Sequence, residues 1–429
     1  MNLFDDVLSA HDAVCDVQGL EANSLPKGLA LAKTKQIRTL RVEPTRSEKL
    51  VVTGLFAGVG GLEEGFRQAG HGSTMLCEFD PLARYVLARR FPDAEITTDV
   101  TALKGLPDCD VLTAGFPCQD LSQVGRRRGI TGPNSGLVDS VFYLLKRQKV
   151  SPRWVVLENV PFMLSLDRGR GIRTVTGALE EMGYSWAYRT INAHAFGLPQ
   201  RRRRVILIAS KTHDPRPVLL GVDSQPPAPK RRASHACGFY WTEGNTGLGW
   251  AVDSVPPLKG GSALHIPSAP AIWFPRRRLI AVPAIEDAER LQGFPAGWTD
   301  LSEEDSRGAR KRWKMVGNAV SVPMAKWIAE RLTVPVGEFD ADDSADLPAE
   351  GSWPSAGWGV GGKRGRSNAS EWPVAVPGQH LSAFLKHEVK PLSNKATSGF
   401  LSRLIKSNLR YEEEFRLDLA YHAENVEKS

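Results

Sequence analysis

The sequence predicts an α/β protein: a doubly wound, mostly parallel sheet with helices on both faces, interrupted by a small inserted lobe and followed by a helical C-terminal extension. Three observations carry this. From Leu50 onward, short apolar runs alternate with segments of helical periodicity. Between Lys211 and Pro275 that alternation stops, and Pro, Gly and Trp dominate. Beyond Leu332 an acidic, then Gly/Ser-rich stretch leads into charged amphipathic segments.

Taken in order, residues 1–48 form a lead-in, with a basic stretch (Lys33, Lys35, Arg38, Arg41) before Pro44. Residues 49–210 hold the first part of the sheet domain. Its strands are expected at Leu50–Phe56, Thr74–Cys77, Val111–Ala114 and Trp154–Leu157, with helices at Leu62–Ala69, Leu82–Arg90 and Leu137–Lys149. Strand, helix, strand in this rhythm gives βαβ units and parallel pairing. Two more strands, Ser185–Ile191 and Val205–Ala209, flank a turn with Gly197, Pro199 and an arginine run. Residues 211–275 are the inserted lobe, and 276–335 return to the sheet domain through Ile285–Leu291 and a helix over Val316–Leu332 with Pro323 in its first turns. Residues 336–375 read as a linker and 376–429 as the helical extension.

The chain has 429 residues, 41% hydrophobic and 24% charged, which suits a water-soluble protein of two or three domains. Its formal charge of +7 is modest, but it gathers in knots: Arg126–Arg128, Arg201–Arg204, Lys230–Arg232 and Arg276–Arg278. Such clusters suit a polyanionic partner and also occur on plain solvated surfaces. The five cysteines show neither a disulfide framework nor zinc spacing, so a reducing cytoplasm and no metal are expected. The acidic start does not suit a signal peptide, and no apolar run reaches membrane-spanning length.

Chemistry concentrates at the ends of the predicted strands. Phe56-Ala57-Gly58-Val59-Gly60-Gly61 follows the first strand, where absent side chains let backbone amides approach a ligand. Glu78 ends the second strand, where a carboxylate can accept from ribose hydroxyls, and Asp99 follows the third. The pyrophosphate spacing GxGxxG is absent, which favours an adenosyl ligand without phosphates over a dinucleotide. Singly, either carboxylate would read as a solvated strand end. Cys118 lies in Gly115-Phe116-Pro117-Cys118-Gln119, after an apolar strand, and Glu158-Asn159-Val160-Pro161 ends another. Two such loops at the carboxyl edge of a parallel sheet face one cleft, making a thiol nucleophile opposite a carboxyl group.

With these strings in hand, the chain resembles the DNA cytosine-5 methyltransferase family of the bacterial modification type. FAGVGG, PCQ, ENV, Gln200–Arg204, a variable insert, RLQGFP (Arg290–Pro295) and GNAVSVP (Gly317–Pro323) occur in the family's order, over about Leu50 to Leu332. The resemblance implies a sheet domain of the S-adenosylmethionine-dependent methyltransferase type, with residues 211–275 as target-recognition insert. It implies that Cys118 adds to cytosine carbon 6, so that carbon 5 takes the methyl group and loss of its proton expels the thiolate. It further implies that Glu158 bonds ring N3 and the exocyclic amine, and that Arg204 bonds the carbonyl oxygen. Arg202 would support the catalytic loop or a phosphate, Asn159 would hold Glu158 and Pro117, and Gln119 would stand beside the nucleophile.

For S-adenosylmethionine the resemblance implies Phe56 stacking on adenine, with Gly58, Gly60, Gly61, Leu62, Glu78, Phe79, Asp99, Val100, Pro117, Asn318 and Val320 around the cofactor. The partner is double-stranded DNA, from which the cytosine is flipped under a Gly/Arg-rich loop. Ser122, Arg126, Arg127, Arg128, Arg276 and Arg277 are the expected DNA contacts, and Thr242, Asn245 or Thr246 can equally read base edges. A monomer is the expectation, acting either beside a cognate restriction endonuclease or as an orphan modification enzyme. The chain departs from the family upstream of RLQGFP, where Ile280 and Ile285 replace a usual threonine and arginine. A transfer-RNA cytosine methyltransferase and a catalytically silent DNA-binding module are the alternatives. Relatives of the first kind carry a Cys-Phe-Thr string that is absent here, and the second would lack Cys118, Glu158 or the glycine turn.

Overall fold

The computed structural model describes residues 48–117, 136–242, 247–260, 269–301, 308–334, 339 and 345–426. Cys118, Gln119, Ser122, Arg126–Arg128, Asn245 and Thr246 lie outside the described residues.

A nine-stranded mixed sheet organises the chain. Its strands are β1 (Val51–Leu55), β2 (Gly72–Cys77), β3 (Glu95–Thr97), β4 (Val111–Ala114), β5 (Trp154–Asn159), β6 (Ser185–Asn192), β7 (Arg203–Ser210), β12 (Ala356–Val360) and β13 (Lys363–Arg366), in the order β13-β12-β6-β7-β5-β4-β1-β2-β3. From β5 to β3 every pair is parallel, and from β5 to β13 every pair is antiparallel. The parallel half is the βαβ pattern legible in the sequence.

Side chains alternate between two cores, as period-2 strands buried on both faces require. Leu112, Val155, Leu157, Val205 and Leu207 meet α3 (Leu137–Arg147) and α4 (Arg170–Glu181) on one face. Val111, Trp154, Val156, Ile206 and Ile208 share the other with α1 (Gly61–Gln68) and α8 (Val322–Thr333). Helix α2 (Pro81–Arg90) packs Val86 and Leu87 beside Val59 and Leu76, N-capped by Asp80, which accepts from the amides of Leu82 and Ala83.

The apolar run Val316–Leu332 is two helices rather than one. Helix α7 (Gly308–Asn318) stops, and α8 restarts at Val322 with Pro323 in its first turn. Pro323 lacks an N–H and its ring crowds the preceding turn, so the α7 ladder cannot continue through it. The freed carbonyls matter below.

The stretch read as a linker is instead an ordered part of the sheet: β12 and β13 form a hairpin paired onto β6. Its glycines suggested flexibility, yet they are there for close packing. A Cβ on Gly359 would lie 2.4 Å from the Trp186 ring, and one on Gly357 would lie 2.9 Å from Tyr188. Aromatic rings lie over backbone that has no side chain to exclude them.

The inserted lobe also differs from its expected bounds. Helix α5 (Pro215–Leu219) belongs to the large sheet, with Val218 and Leu219 in the α1/α8 core. A separate antiparallel sheet contains β8 (Cys237–Phe239), β9 (Ala251–Val252), β10 (Ala271–Phe274), β11 (Leu279–Val282) and β14 (Lys390–Pro391), in the order β14-β11-β10-β8-β9. Its edge strand β14 comes from the extension. Helices α10 (Asn394–Lys406) and α11 (Glu413–Asn425) cover it, placing Phe400, Leu404, Phe415 and Leu419 against Phe239 and Trp273. Two shorter helices, α6 (Ile285–Leu291) and α9 (Leu381–Phe384), share the adjoining cluster through Leu291 and Leu381. No helix among the described residues is long and apolar enough to cross a membrane.

Two buried acids mark where this architecture is sensitive. Asp418, 4% exposed, accepts from Trp273 Nε1 at 2.9 Å and Arg278 Nε at 2.8 Å, tying α11 to the β10–β11 turn. An Asp418→Ala chain should lose about 1–3 kcal/mol of stability, because it strands the buried indole N–H. Asp418→Asn should lose less, and urea denaturation measures both.

Glu63 on α1 is buried against β1 and β4, accepting from Thr113 Oγ1 at 2.8 Å, and burial raises its pKa from 4.5 to about 7. Between those values the folded chain holds a proton that the unfolded chain has released, so stability falls as pH rises through that window. Glu63→Gln should remove this slope and gain on the order of 3 kcal/mol over the parent above pH 7. Equilibrium unfolding from pH 5 to 8 checks it; parallel curves for the two chains would refute it.

Candidate active site

The carboxyl ends of β1, β2, β4 and β5 open onto one cleft of about 730 Å3. Its walls assemble from short segments that the sheet topology brings together.

After β1 the backbone turns sharply: Phe56 sits at φ 55°, Gly58 at φ 58° and Gly60 at φ 83°. A left-handed conformation at phenylalanine is costly and persists only where its surroundings enforce it. Gly58 faces the cleft and donates its amide to Glu78 Oε2 at 2.8 Å. Glu78 Oε1 accepts from the Asp80 amide at 2.8 Å, so both carboxylate oxygens are fixed at the tip of β2 with lone pairs to spare. Phe79 beside it is 77% exposed and lines the cleft. Asp99, after β3, caps the next turn by accepting from Thr101 N and Oγ1 through Oδ1, and Val100 stands next to it in the wall.

At the other end of the cleft, Glu158 closes β5 and is 9% exposed. Its Oε1 receives Arg204 Nε at 2.8 Å, and both side chains are nearly nine-tenths buried. Burial pulls the Arg204 guanidinium below its ordinary pKa, and the Glu158 charge opposes that pull; the guanidinium remains a cation. Asn159 lines the cleft beside Glu158. Its Nδ2 donates to the Phe116 carbonyl at 3.0 Å, and its Oδ1 accepts from the Val160 amide. One side chain thus pins the loop after β4 to the loop after β5. Pro117, immediately before Cys118, lines the same cleft as Glu158.

Of the expected cofactor residues, Phe56, Gly58, Glu78, Phe79, Asp99, Val100, Pro117 and Asn318 line this cleft. Gly60, Gly61, Leu62 and Val320 are absent from its lining. A Cβ at Gly60 would lie 2.4 Å from the Phe91 ring, and at Gly61 2.4 Å from the Val320 carbonyl oxygen. These two glycines permit close packing against α2 and the α7–α8 break, while Leu62 is core.

Arg202 also requires correction. It is 1% exposed, too buried to meet a phosphate. Its Nη1 donates to the Leu258 carbonyl at 2.8 Å and its Nη2 to the carbonyls of Gly317 at 3.1 Å and Ala319 at 2.7 Å. The carbonyls freed where α7 ends are its acceptors. Arg276 and Arg277 are exposed at the β10–β11 turn, and Thr242 is described but not among the cleft residues.

Several residues of the site escaped the sequence reading. Gln200 is fully buried and donates to the Leu291 carbonyl at 2.7 Å and to Gln292 Oε1 at 3.2 Å, while Gln292 Oε1 also accepts from Ser321 Oγ. This knits the QRRRR, RLQGFP and GNAVSVP strings together; the single Gln or Ser that each carries was the available signal. Asp80 and Lys314 pair at 3.2 Å in the cleft wall, and no pattern in the sequence pointed to that pair.

Comparison with known proteins identifies the family. Residues 50–235 match the family described as C-5 cytosine-specific DNA methylase. The chain is 45% identical to Type II methyltransferase M2.BsuMI of Bacillus subtilis (strain 168) over 85% of its own length and 96% of the relative. It is 34% identical to Type II methyltransferase M.BsuFI of Bacillus subtilis over 38% of its length and 40% of that relative. Among solved structures, the S. pombe Dnmt2 methyltransferase superposes with a TM-score of 0.49 at 16% identity, covering 67% of this chain and 98% of that one. The chain belongs to the C-5 cytosine-specific DNA methylase family and is an S-adenosylmethionine-dependent DNA cytosine-5 methyltransferase of the type II kind.

Proposed function

We propose that this enzyme methylates carbon 5 of a cytosine turned out of double-stranded DNA, through a covalent bond between Cys118 Sγ and carbon 6. The observation that carries the reading is the Glu158–Arg204 pair, which shares one cleft with the Gly58–Glu78 turn and with Pro117, the neighbour of Cys118.

The cleft suits the cofactor. Glu78, held by two amides, would accept from the ribose hydroxyls, Asp99 from the adenine amine, and Phe56 and Phe79 would flank the ring. When bound, the sulfonium supplies an electrophilic methyl group.

The protein's task is to make carbon 5 nucleophilic. The Cys118 thiolate adds to carbon 6, and the ring electron pair moves to carbon 5 and its neighbours. Arg204 donates to the carbonyl oxygen at carbon 2, the exocyclic amine donates to Glu158, and a proton shared between the Glu158 carboxyl and N3 neutralises charge as it develops on the ring. After carbon 5 is methylated, removal of its proton returns the electron pair to the ring and expels the thiolate. Asn159 positions rather than reacts, through its bond to the Phe116 carbonyl. Extruding the base costs a few kcal/mol, offset by Ser122 and Arg126–Arg128 closing on the DNA, with Arg276 and Arg277 on its backbone. The lobe built on β8–β11 reads the target word, and a partner endonuclease cuts the unmethylated word.

Two measurements test this. Methylation-sensitive sequencing of plasmid from cells expressing the parent should show one modified word that is absent with Cys118→Ala; identical unmodified plasmids from both would sink the DNA reading. In steady-state assays Glu158→Gln and Arg204→Met should each lower kcat by roughly 100-fold or more while leaving cofactor affinity near the parent. Glu78→Ala should instead weaken cofactor binding about tenfold, the loss of one or two hydrogen bonds.

A further inference from the structure

We propose that His235, Asp253 and His380 form a binding site for one divalent transition-metal ion of the zinc class, at the joint between the β8–β11 sheet and the C-terminal extension. One potential ligand atom from each residue lies within 4.8 Å of the other two. In a tetrahedral zinc site with bonds of about 2.0–2.2 Å, ligand atoms stand roughly 3.4 Å apart. Small rotations of two surface-facing imidazoles close that difference.

The hydrogen bonds around the cluster suit the role. His235 Nδ1 lies 2.8 Å from the Arg231 carbonyl. A carbonyl only accepts, so the proton is on Nδ1 and the lone pair on Nε2. Metal-binding imidazoles are oriented by this kind of bond from their second nitrogen. His380 Nδ1 lies 2.6 Å from Asp253 Oδ2, and the two imidazole centroids are 5.3 Å apart. Asp253 is anchored through Oδ1, which accepts from the Leu381 amide at 2.8 Å. Its side chain is only 2% exposed, so it needs positive charge beside it.

That charge now comes from the Lys230 ammonium, which closes on Asp253 Oδ2. Lys230 is one-third exposed and carried on a flexible stem, so it can withdraw. A cavity of about 440 Å3 lined by His235, Asp253, His380 and Ser382 gives an ion access and room for water ligands. Two imidazoles and one carboxylate select zinc, nickel, cobalt or copper over magnesium and calcium. The ion would fasten residue 380 of the extension to the recognition sheet and takes no part in methyl transfer.

The test uses the full chain in a Cys118→Ala background, which removes that thiol as a competing ligand. After chelator stripping, Zn2+ is titrated against a chromogenic chelator, and Co2+ uptake is followed by visible absorption. One ion per chain is expected, at micromolar affinity or tighter. His235→Ala and His380→Ala should each weaken it at least about tenfold. Lys230→Ala should tighten it about tenfold, because a competing cation is gone. His235→Ala removes a bond to its own turn and the ring contact with His380, and leaves Asp253 its bonds to Lys230 and the Leu381 amide, so it serves as the variant least prone to misfold. No uptake at micromolar Zn2+, unchanged uptake in either histidine variant, or no tightening on loss of Lys230 would each overturn the site and leave a hydrogen-bonded node.

Discussion

The buried Arg202 guanidinium is the constraint on which the remaining architecture hangs. A charge taken out of water costs several kcal/mol unless acceptors surround it, and here they are the carbonyls of Leu258, Gly317 and Ala319. Those of Gly317 and Ala319 stand at the end of α7, where Pro323 prevents the helix from running on. The broken helix needs a donor and the buried arginine needs acceptors. Through this exchange the strand that carries Arg204 is fixed to the segment that carries Asn318, on the opposite wall of the cleft. The Gln200–Gln292–Ser321 chain repeats the connection, so the two segments are tied together twice.

Much of this was legible in the sequence, for a definite reason. Alternating apolar runs and helices dictate a parallel sheet, and the ends of its strands are where polar residues after an apolar run converge. Glu78, Asp99 and Glu158 could therefore be found by position, whereas Arg204, near the start of β7, was reached only through the family resemblance. What a buried residue touches cannot be read that way. Gly60 and Gly61 look like ligand-facing glycines, yet their missing side chains admit Phe91 and the Val320 carbonyl, partners distant in the chain. Arg202 looks like one more member of an arginine run until its burial is known.

The linker was misread for a related reason. Gly357 and Gly359 have the composition of a flexible linker, but Tyr188 and Trp186 lie over them in a paired hairpin. Composition reports conformational freedom only where no neighbour consumes it. The same holds farther on: β14, α10 and α11 finish the core of the β8–β11 sheet, and Asp418 and Tyr421 brace Arg278 at the turn that presents Arg276 and Arg277. The lobe is one folding unit drawn from two distant parts of the chain. The histidines and aspartate at its joint were invisible to any search for ligand spacing, because His380 stands 127 residues from Asp253.

The Glu158–Arg204 pair also bears on how the proposed reaction chooses its base. Without a guest, each of the two buried charges satisfies the other, and separating such a pair with nothing in return costs several kcal/mol. A base entering the cleft must therefore return what it disturbs. Cytosine does so: its carbonyl oxygen accepts from Arg204, and its exocyclic amine donates to Glu158. Thymine offers a carbonyl where the amine should be, setting an acceptor against the carboxylate, a mismatch worth about 1–3 kcal/mol before chemistry begins. The same two side chains that polarise the ring would thus exclude the wrong pyrimidine, and this discrimination is separate from the word read by the recognition lobe.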